Sequence, residues 1–410
     1  MISEPEQAFI WSWLPGEASP VVAGQIQKNG EIYEFTYGRS YLNRPEAIPL
    51  YLPELPLEPG SQRPLVGEVA GCIADAAPDA WGQRVLLNRL AGAAAEDNTE
   101  VGLLTYLLES GSDRSGALDF QESSSRYEPR LEGGATLEEL FESAERVQNG
   151  VPLSKGLDAA LLHGSSIGGA RPKATLVKGE RSFIAKFGSS GDPFPVEKGE
   201  FMAMKLAKLA GLNVAEVELT QVMGRDVILV ERFDRLPGGL RKGMVSALTI
   251  LELDEVSGRY ASYADLTIEI RKRFARSKED LAELFARLTF NILVGNTDDH
   301  ARNHSAFWDG AELSLTPAYD ICPQLRSGGE QSQAMIIGED GFRLSQIAGC
   351  VERAGQWQLS DSEARAIVDH QVATIREEFD QVADMAGATE VERRNFRERQ
   401  FLNPNTLFDY

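Results

Sequence analysis

Asn296-Thr297-Asp298-Asp299-His300-Ala301-Arg302-Asn303, followed a little later by Thr316-Pro317-Ala318-Tyr319-Asp320, are the stretches that decide the fold class of this chain. An Asp, an Asn five residues on, and a further Asp beyond a hairpin form the acidic set that kinase-type phosphoryl transfer needs. Asp298 can orient an attacking hydroxyl and take its proton. Asn303 and Asp320 offer hard oxygen ligands to the magnesium ions that neutralise the ATP phosphates. Ala306-Phe307-Trp308, the turn Asp309-Gly310 and Leu313-Ser314-Leu315 read as a hairpin that returns Asp320 to the side of Asp298 and Asn303.

Working upstream, Leu281, Leu284, Phe285, Leu288 and Ile292 recur at helical spacing and stop at Gly295, so a helix delivers the chain to the acidic stretch. Before it, Val227-Ile228-Leu229-Val230 is an apolar strand running into Glu231-Arg232-Phe233-Asp234. Its end can offer backbone groups to adenine, with Phe233 packing on the ring. Ala174–Val177 and Ser182–Phe187 read as a hairpin that carries Lys186, placed like the strand lysine that holds ATP phosphates. Its ionic partner is expected on the next helix, at Glu200 or alternatively Glu197. Ser165-Ser166-Ile167-Gly168-Gly169-Ala170-Arg171-Pro172-Lys173 precedes that hairpin. Paired glycines let backbone N–H groups approach a phosphate, although the stretch is not a Walker A string.

The N-terminal part reads as β-structure: Val21–Ile26 and Ile32–Tyr37 flank the turn Lys28-Asn29-Gly30. A proline-rich stretch follows, then a helix opened by Pro78 and running through Trp81, Val85 and Leu90. The Ser-, Gly-, Arg- and Glu-rich segment 113–134 reads as a domain junction, and a helix at Leu137–Val147 stops at Asn149-Gly150. The expectation is an α+β, protein-kinase-like two-lobed fold, with a β-rich small lobe, a helical large lobe and an additional β-rich N-terminal subdomain. Its divisions are 1–125, 126–235 with the phosphate loop, and 236–410 with the catalytic and metal-binding motifs.

Net charge is −21 over 410 residues, which argues against autonomous binding to nucleic acid or an anionic membrane. Cys72, Cys322 and Cys350 are odd in number, widely spaced and lack C-x-x-C, as reduced cytosolic thiols would be. The start lacks a basic n-region with a long apolar core, and no run reaches the ~18 apolar residues of a spanning helix. The expectation is a soluble cytoplasmic protein. Arg393, Arg394, Arg397 and Arg399 interleave with Glu and read as a solvated helix face.

Two other chemistries compete for the acidic stretch. Asp298, Asp299 and His300 could ligate the metal of a hydrolase, and His300 with His304 could share a helical face as zinc ligands. Ala301 stands where a metalloprotease H-E-x-x-H places its Glu, and the chain has only 4 His, which disfavours both.

Taken in order, these pieces resemble the HipA family of bacterial serine/threonine kinases, the toxins of type II toxin–antitoxin modules. The resemblance covers nearly the whole chain. It is carried by Val22–Ile26, Phe35–Tyr37 and Ala77–Gly82 in the N-terminal part, then by Ser166–Ala170 with Lys173, Ile184–Lys186, Val230–Arg235, Asn296–Asn303 and Leu315–Asp320. It implies Asp298 as catalytic base, Asn303 and Asp320 as magnesium ligands, and Lys186 on the ATP phosphate. Gly168, Gly169, Ala170, Arg171 and Lys173 would form the phosphate loop. Glu231, Arg232 and Phe233 would hold adenine, with His300, Asn303 and Tyr319 completing the nucleotide site beside Asp320.

The resemblance further implies autophosphorylation at Ser166, with Ser165 the alternative, as an off-switch. It implies a protein substrate of the aminoacyl-tRNA synthetase class and a helix-turn-helix antitoxin of the HipB type that brings DNA binding. Arg171-Pro172 stands where many relatives have Gln-Glu, and Pro172 removes a backbone donor from the loop. Two alternatives remain: a catalytically weak kinase-fold partner in an antitoxin–operator complex, and a small-molecule kinase.

Overall fold

This computed structural model describes residues 4–91, 101–130, 135–151, 171–188, 191, 192, 194–325 and 329–410, with backbone only at Ala91 and Glu398. They fall into two compact units. One comprises 1–189, 221–245 and 307–311; the other comprises 190–220, 246–306 and 312–410.

The first unit opens on an antiparallel sheet. β1 (Gln7–Ser12), β2 (Val21–Asn29), β3 (Ile32–Tyr37), β4 (Ser61–Gln62) and β5 (Leu118–Gln121) lie in the order β4-β3-β2-β1-β5. The predicted hairpin is β2–β3, pairing Asn29 with Ile32. α1 (Ala80–Ala91) and α2 (Leu137–Gln148) follow, the latter closed at its N-terminus by a Thr136–Glu139 capping box.

The segment read as a junction is partly embedded instead. β5 pairs with β1, and Arg114 and Asp119 are fully buried. Asp119 accepts from Arg114 Nε at 2.9 Å, Arg130 Nη2 at 3.0 Å and the Tyr127 hydroxyl at 3.0 Å. Polar composition alone cannot reveal that these charges satisfy one another in the interior.

β6 (Lys173–Lys178) and β7 (Arg181–Phe187) form the second predicted hairpin. β8 (Val217–Val222), whose last two residues enter this unit, turns through Met223-Gly224 into β9 (Arg225–Glu231), which pairs with β7. Both turn residues have positive φ (50° and 77°), as the type I′ hairpin turn requires. The period-2 alternation sends Phe183, Ala185, Phe187, Val227 and Leu229 to one face, where they pack with Trp81, Leu140 and Phe141. Burying each large side chain there contributes about 2 kcal/mol. Trp81 Nε1 also donates to the Lys173 carbonyl at 3.0 Å, fastening α1 to β6.

The second unit is mainly helical: α3 (Val196–Leu209), α4 (Tyr263–Arg273), α5 (Ser277–Val294) and α6 (Asp361–Met385). α6 packs on α3 and α5. Between α5 and α6, Thr289 Oγ1 donates to Gln371 Oε1 at 2.9 Å and Gln371 Nε2 to the Ala286 carbonyl at 2.7 Å. Among the described residues, no helix is long and apolar enough to cross a membrane. The three cysteines are free.

Candidate active site

The acidic stretch begins where α5 ends. Gly295 takes φ +76°, a conformation that costs glycine little, and a Cβ there would come within 3.0 Å of the Gln400 carbonyl oxygen. Gly295 N donates to the Ile292 carbonyl and Asn296 N to that of Asn291, the paired bonds of a Schellman stop. The Asn296 amide then reaches two ways, to Asn291 Oδ1 at 3.0 Å and to the Asp320 carbonyl at 3.4 Å. Position 296 is thereby tied to the main chain at position 320.

Beyond it, exposure alternates: Asp298 and His300 face solvent, and Asp299 between them is buried. Asp299 Oδ1 accepts from His304 Nε2 at 2.9 Å, and its second oxygen accepts the Tyr263 hydroxyl from α4. A single helical turn, Ala301–Asn303, carries Asn303 back toward Asp298. Asn303 Nδ2 donates to the Asp298 carbonyl at 3.1 Å, which orients the amide and reserves its Oδ1 for another ligand.

The predicted hairpin is present as strands Ser305–Trp308 and Leu313–Leu315. Thr316 N donates to the Ser305 carbonyl at 3.0 Å. The Tyr319 hydroxyl donates to the Arg302 carbonyl at 2.7 Å and lies 2.6 Å from Ser305 Oγ, so Tyr319 closes the loop from behind. Buried Arg287 of α5 donates to the Thr316 carbonyl at 2.8 Å, and Ala318 bonds to the 213–215 segment in both directions. Asp320 at the end of this run has φ +58°, a left-handed conformation that Asp tolerates better than most residues.

Electrostatics separate the two adjacent aspartates. Partial desolvation raises the Asp298 carboxyl above its usual range; His300 opposes this, and Asp320 and Asp299 add to it. Burial would raise Asp299 too, but His304 and Tyr263 overcome it and hold that carboxyl low. Burial, with Asp299 adding to it, pushes the Tyr263 phenol well above its ordinary value, which keeps it a donor.

Of the residues expected to hold nucleotide, Arg171, Lys173, Lys186 and Glu231–Phe233 lie in the first unit. On β7, Lys186 is on the face opposite the core cluster, and the register sets it directly across from Lys173 of β6. Cross-strand partners share a face, so two lysines stand side by side there. Arg171 is half-buried just ahead of β6. Ser165, Ser166, Gly168, Gly169 and Ala170 lie outside the described residues. Glu231 ends β9 with its carboxylate 2.5 Å from Arg181, and the Phe233 ring meets Phe307 edge-on at 5.8 Å. Glu200 and Glu197 are buried on α3 of the second unit.

The Arg232 side chain turns inward. Its guanidinium is buried between Asp113 and Asp234, at 2.7 and 2.8 Å, and its backbone N–H donates to the Ser182 carbonyl. These donors are taken up within the unit, so the guanidinium serves the framework of the turn. The zinc alternative also loses its geometry: the residues after His300 form a single 3-10 turn, and His304 Nε2 is spent on Asp299. Sequence reasoning missed Tyr263, whose partner is 36 residues away, and Asp113, 119 residues from Arg232.

Two family models match the chain, the HipA-like C-terminal domain over residues 165–379 and the HipA N-terminal domain over 18–121. The chain belongs to the HipA family. It is 29% identical over 203 residues to the serine/threonine-protein kinase toxin HipA of Shewanella oneidensis, covering 43% of this chain and 47% of that one. It is 31% identical over 134 residues to a putative kinase of Sinorhizobium fredii, covering 30% of this chain and 31% of that one. To the toxin YjjJ of Escherichia coli it is 26% identical over 251 residues, 55% of each. The chain thus spans about half or less of the length of these curated relatives. The solved complex of Shewanella oneidensis HipA, HipB and operator DNA matches with a TM-score of 0.70 at 19% identity, over 94% of both chains. The chain therefore has the HipA fold, the α+β kinase-like class expected from its sequence.

Proposed function

We propose that this chain is an ATP- and magnesium-dependent serine/threonine protein kinase acting as the toxin of a type II toxin–antitoxin module. The observation that carries the reading is the convergence of Asp298, Asn303 and Asp320 in one loop cluster, fastened through Asn296 and Tyr319. The donor set fits magnesium: an amide oxygen oriented by its own Nδ2 bond, and a carboxylate whose charge raises the neighbouring Asp298. Bound there, magnesium would neutralise charge on the ATP phosphates. Lys186 and Lys173, paired across one sheet face of the first unit, offer two cations that suit phosphate oxygens.

Asp298 faces solvent, where an acceptor hydroxyl can reach it, and it orients that hydroxyl and takes its proton. Glu231 and Phe233 hold adenine at the end of β9. Ser166, or alternatively Ser165, is the autophosphorylation site that silences the enzyme. The substrate class is an aminoacyl-tRNA synthetase. Binding to DNA goes through a helix-turn-helix antitoxin of the HipB type, in keeping with a net charge of −21. The division into 1–125, 126–235 and 236–410 accompanies this reading.

The test is incubation of the purified chain with labelled ATP and magnesium, alone and with cell extract. Label on the chain and on an extract protein, lost on adding EDTA, is the expected result. No label on either sinks the enzyme reading and favours a non-catalytic partner; label on a small molecule only makes it a small-molecule kinase. Phosphopeptide mapping that finds neither Ser165 nor Ser166 modified ends the autoinhibition proposal.

A further inference from the structure

The end of β9 is gripped by a short segment of the N-terminal half, 113–116. Arg232 donates to Asp113 Oδ1 at 2.7 Å and to the Arg114 carbonyl at 2.6 Å. Arg235 donates to Asp113 Oδ1 at 3.1 Å, to the Gly116 carbonyl at 2.9 Å, and also to the Arg114 carbonyl. In the other direction, Gly116 N donates to Asp234 Oδ2 at 2.8 Å. Asp234 is itself held by both arginines, at 2.8 and 2.9 Å. The four charged side chains are 2% to 18% exposed.

Two features mark this as more than packing. Buried ion pairs return little net stability, because desolvation offsets most of the Coulombic attraction, so stability alone does not account for four buried charges here. Most of the bonds also end on backbone atoms or carboxylates within four residues of chain on either side, so they fix a path rather than fill a space. Phe233 sits between two locked neighbours, Arg232 and Asp234, and Glu231 immediately precedes them. We infer that segment 113–116 is a positioning element for nucleotide, holding the turn Glu231-Arg232-Phe233 in the shape that receives adenine. The inference rests on the adenine assignment proposed above and gives the N-terminal half a part in ATP binding. Asp113, Asp234 and Arg235 are positioning residues that act through this turn.

The experiment compares wild type with Asp113→Asn and Thr136→Ala in the full chain, using a fluorescent ADP analogue for binding and initial rates for KM and kcat. Thr136 caps the N-terminus of α2 and takes no part in this network, so its replacement controls for general softening. Asp113→Asn is expected to weaken ADP and raise the KM for ATP about tenfold, with kcat kept within about threefold. Thr136→Ala is expected to lower the melting temperature while leaving both nucleotide constants within about twofold. Should Asp113→Asn fail to fold, Arg235→Lys keeps the charge, loses the fork to Asp113 and the two carbonyls, and is read the same way. Unchanged nucleotide constants in the folded variant overturn the inference, as does equal weakening by Thr136→Ala. A wild-type chain that binds no ADP analogue defeats the adenine assignment itself, a result visible before any variant is made.

Discussion

Asp299 and His304 clamp the loop that bears Asp298 and Asn303: the buried Asp299 carboxylate accepts from His304 Nε2 at 2.9 Å, with Tyr263 of α4 behind both. The clamp joins the residue after Asp298 to the residue after Asn303, so it sets the distance between a proposed base and a proposed metal ligand. Asp299→Asn keeps the shape but removes the charge that holds His304 and draws in the Tyr263 proton. The expected outcome is a kcat lower by about ten- to a hundredfold, because small misplacements of reacting groups are costly. Steady-state rates alongside a thermal melt decide it. A lower melting temperature with an unaltered kcat would make the clamp packing only.

Asp298→Ala should reduce phosphoryl transfer by about 10²- to 10⁴-fold, the range for loss of a positioned general base. Nucleotide affinity should stay within about threefold, since the adenine and lysine contacts proposed above lie on other strands. Single-turnover rates and calorimetry of ADP binding give the two numbers independently. Transfer at the wild-type rate would remove Asp298 from the role.

Asn303→Ala deletes an amide whose nitrogen is spent on the Asp298 carbonyl and whose oxygen is the proposed ligand. The magnesium concentration for half-maximal rate should rise by about tenfold or more. A magnesium titration at saturating ATP checks this. A curve that overlays wild type would mean that Asn303 holds the loop and nothing else.

Much of this was legible in the sequence because the informative relations are local. Asp298 and Asn303 are one short turn apart, Gly295 marks the helix stop, and the period-2 pattern of β7 places Lys186 opposite the core. The return of Asp320 followed from a turn dipeptide between two short strands. What escaped were partners set by the folded path. Asp113 lies in a polar stretch that reads as a junction, and only the fold shows that it meets Arg232 and Arg235 across 119 and 122 residues. For the same reason the inward turn of the Arg232 guanidinium is not legible in the sequence. A charged residue at the end of a strand looks identical whether it faces a ligand or a buried partner.

The same network predicts an acid response. Burial works to raise the Asp113 carboxyl, but Arg232, Arg235 and Arg241 overcome it and hold it well below the ordinary carboxylate range. An unfolded Asp titrates near 4, so the stabilisation from this depressed group is fully present above about pH 4. It is lost as the pH falls below that, toward the folded value. Asp113→Asn lacks the titrating group, so it should melt lower than wild type at pH 7, and the gap should narrow on acidification below about pH 4. Melting temperatures measured from pH 7 down to about pH 3 test the sign directly. A gap that stays constant across that range would show that Asp113 stabilises by shape and hydrogen bonding rather than by its charge.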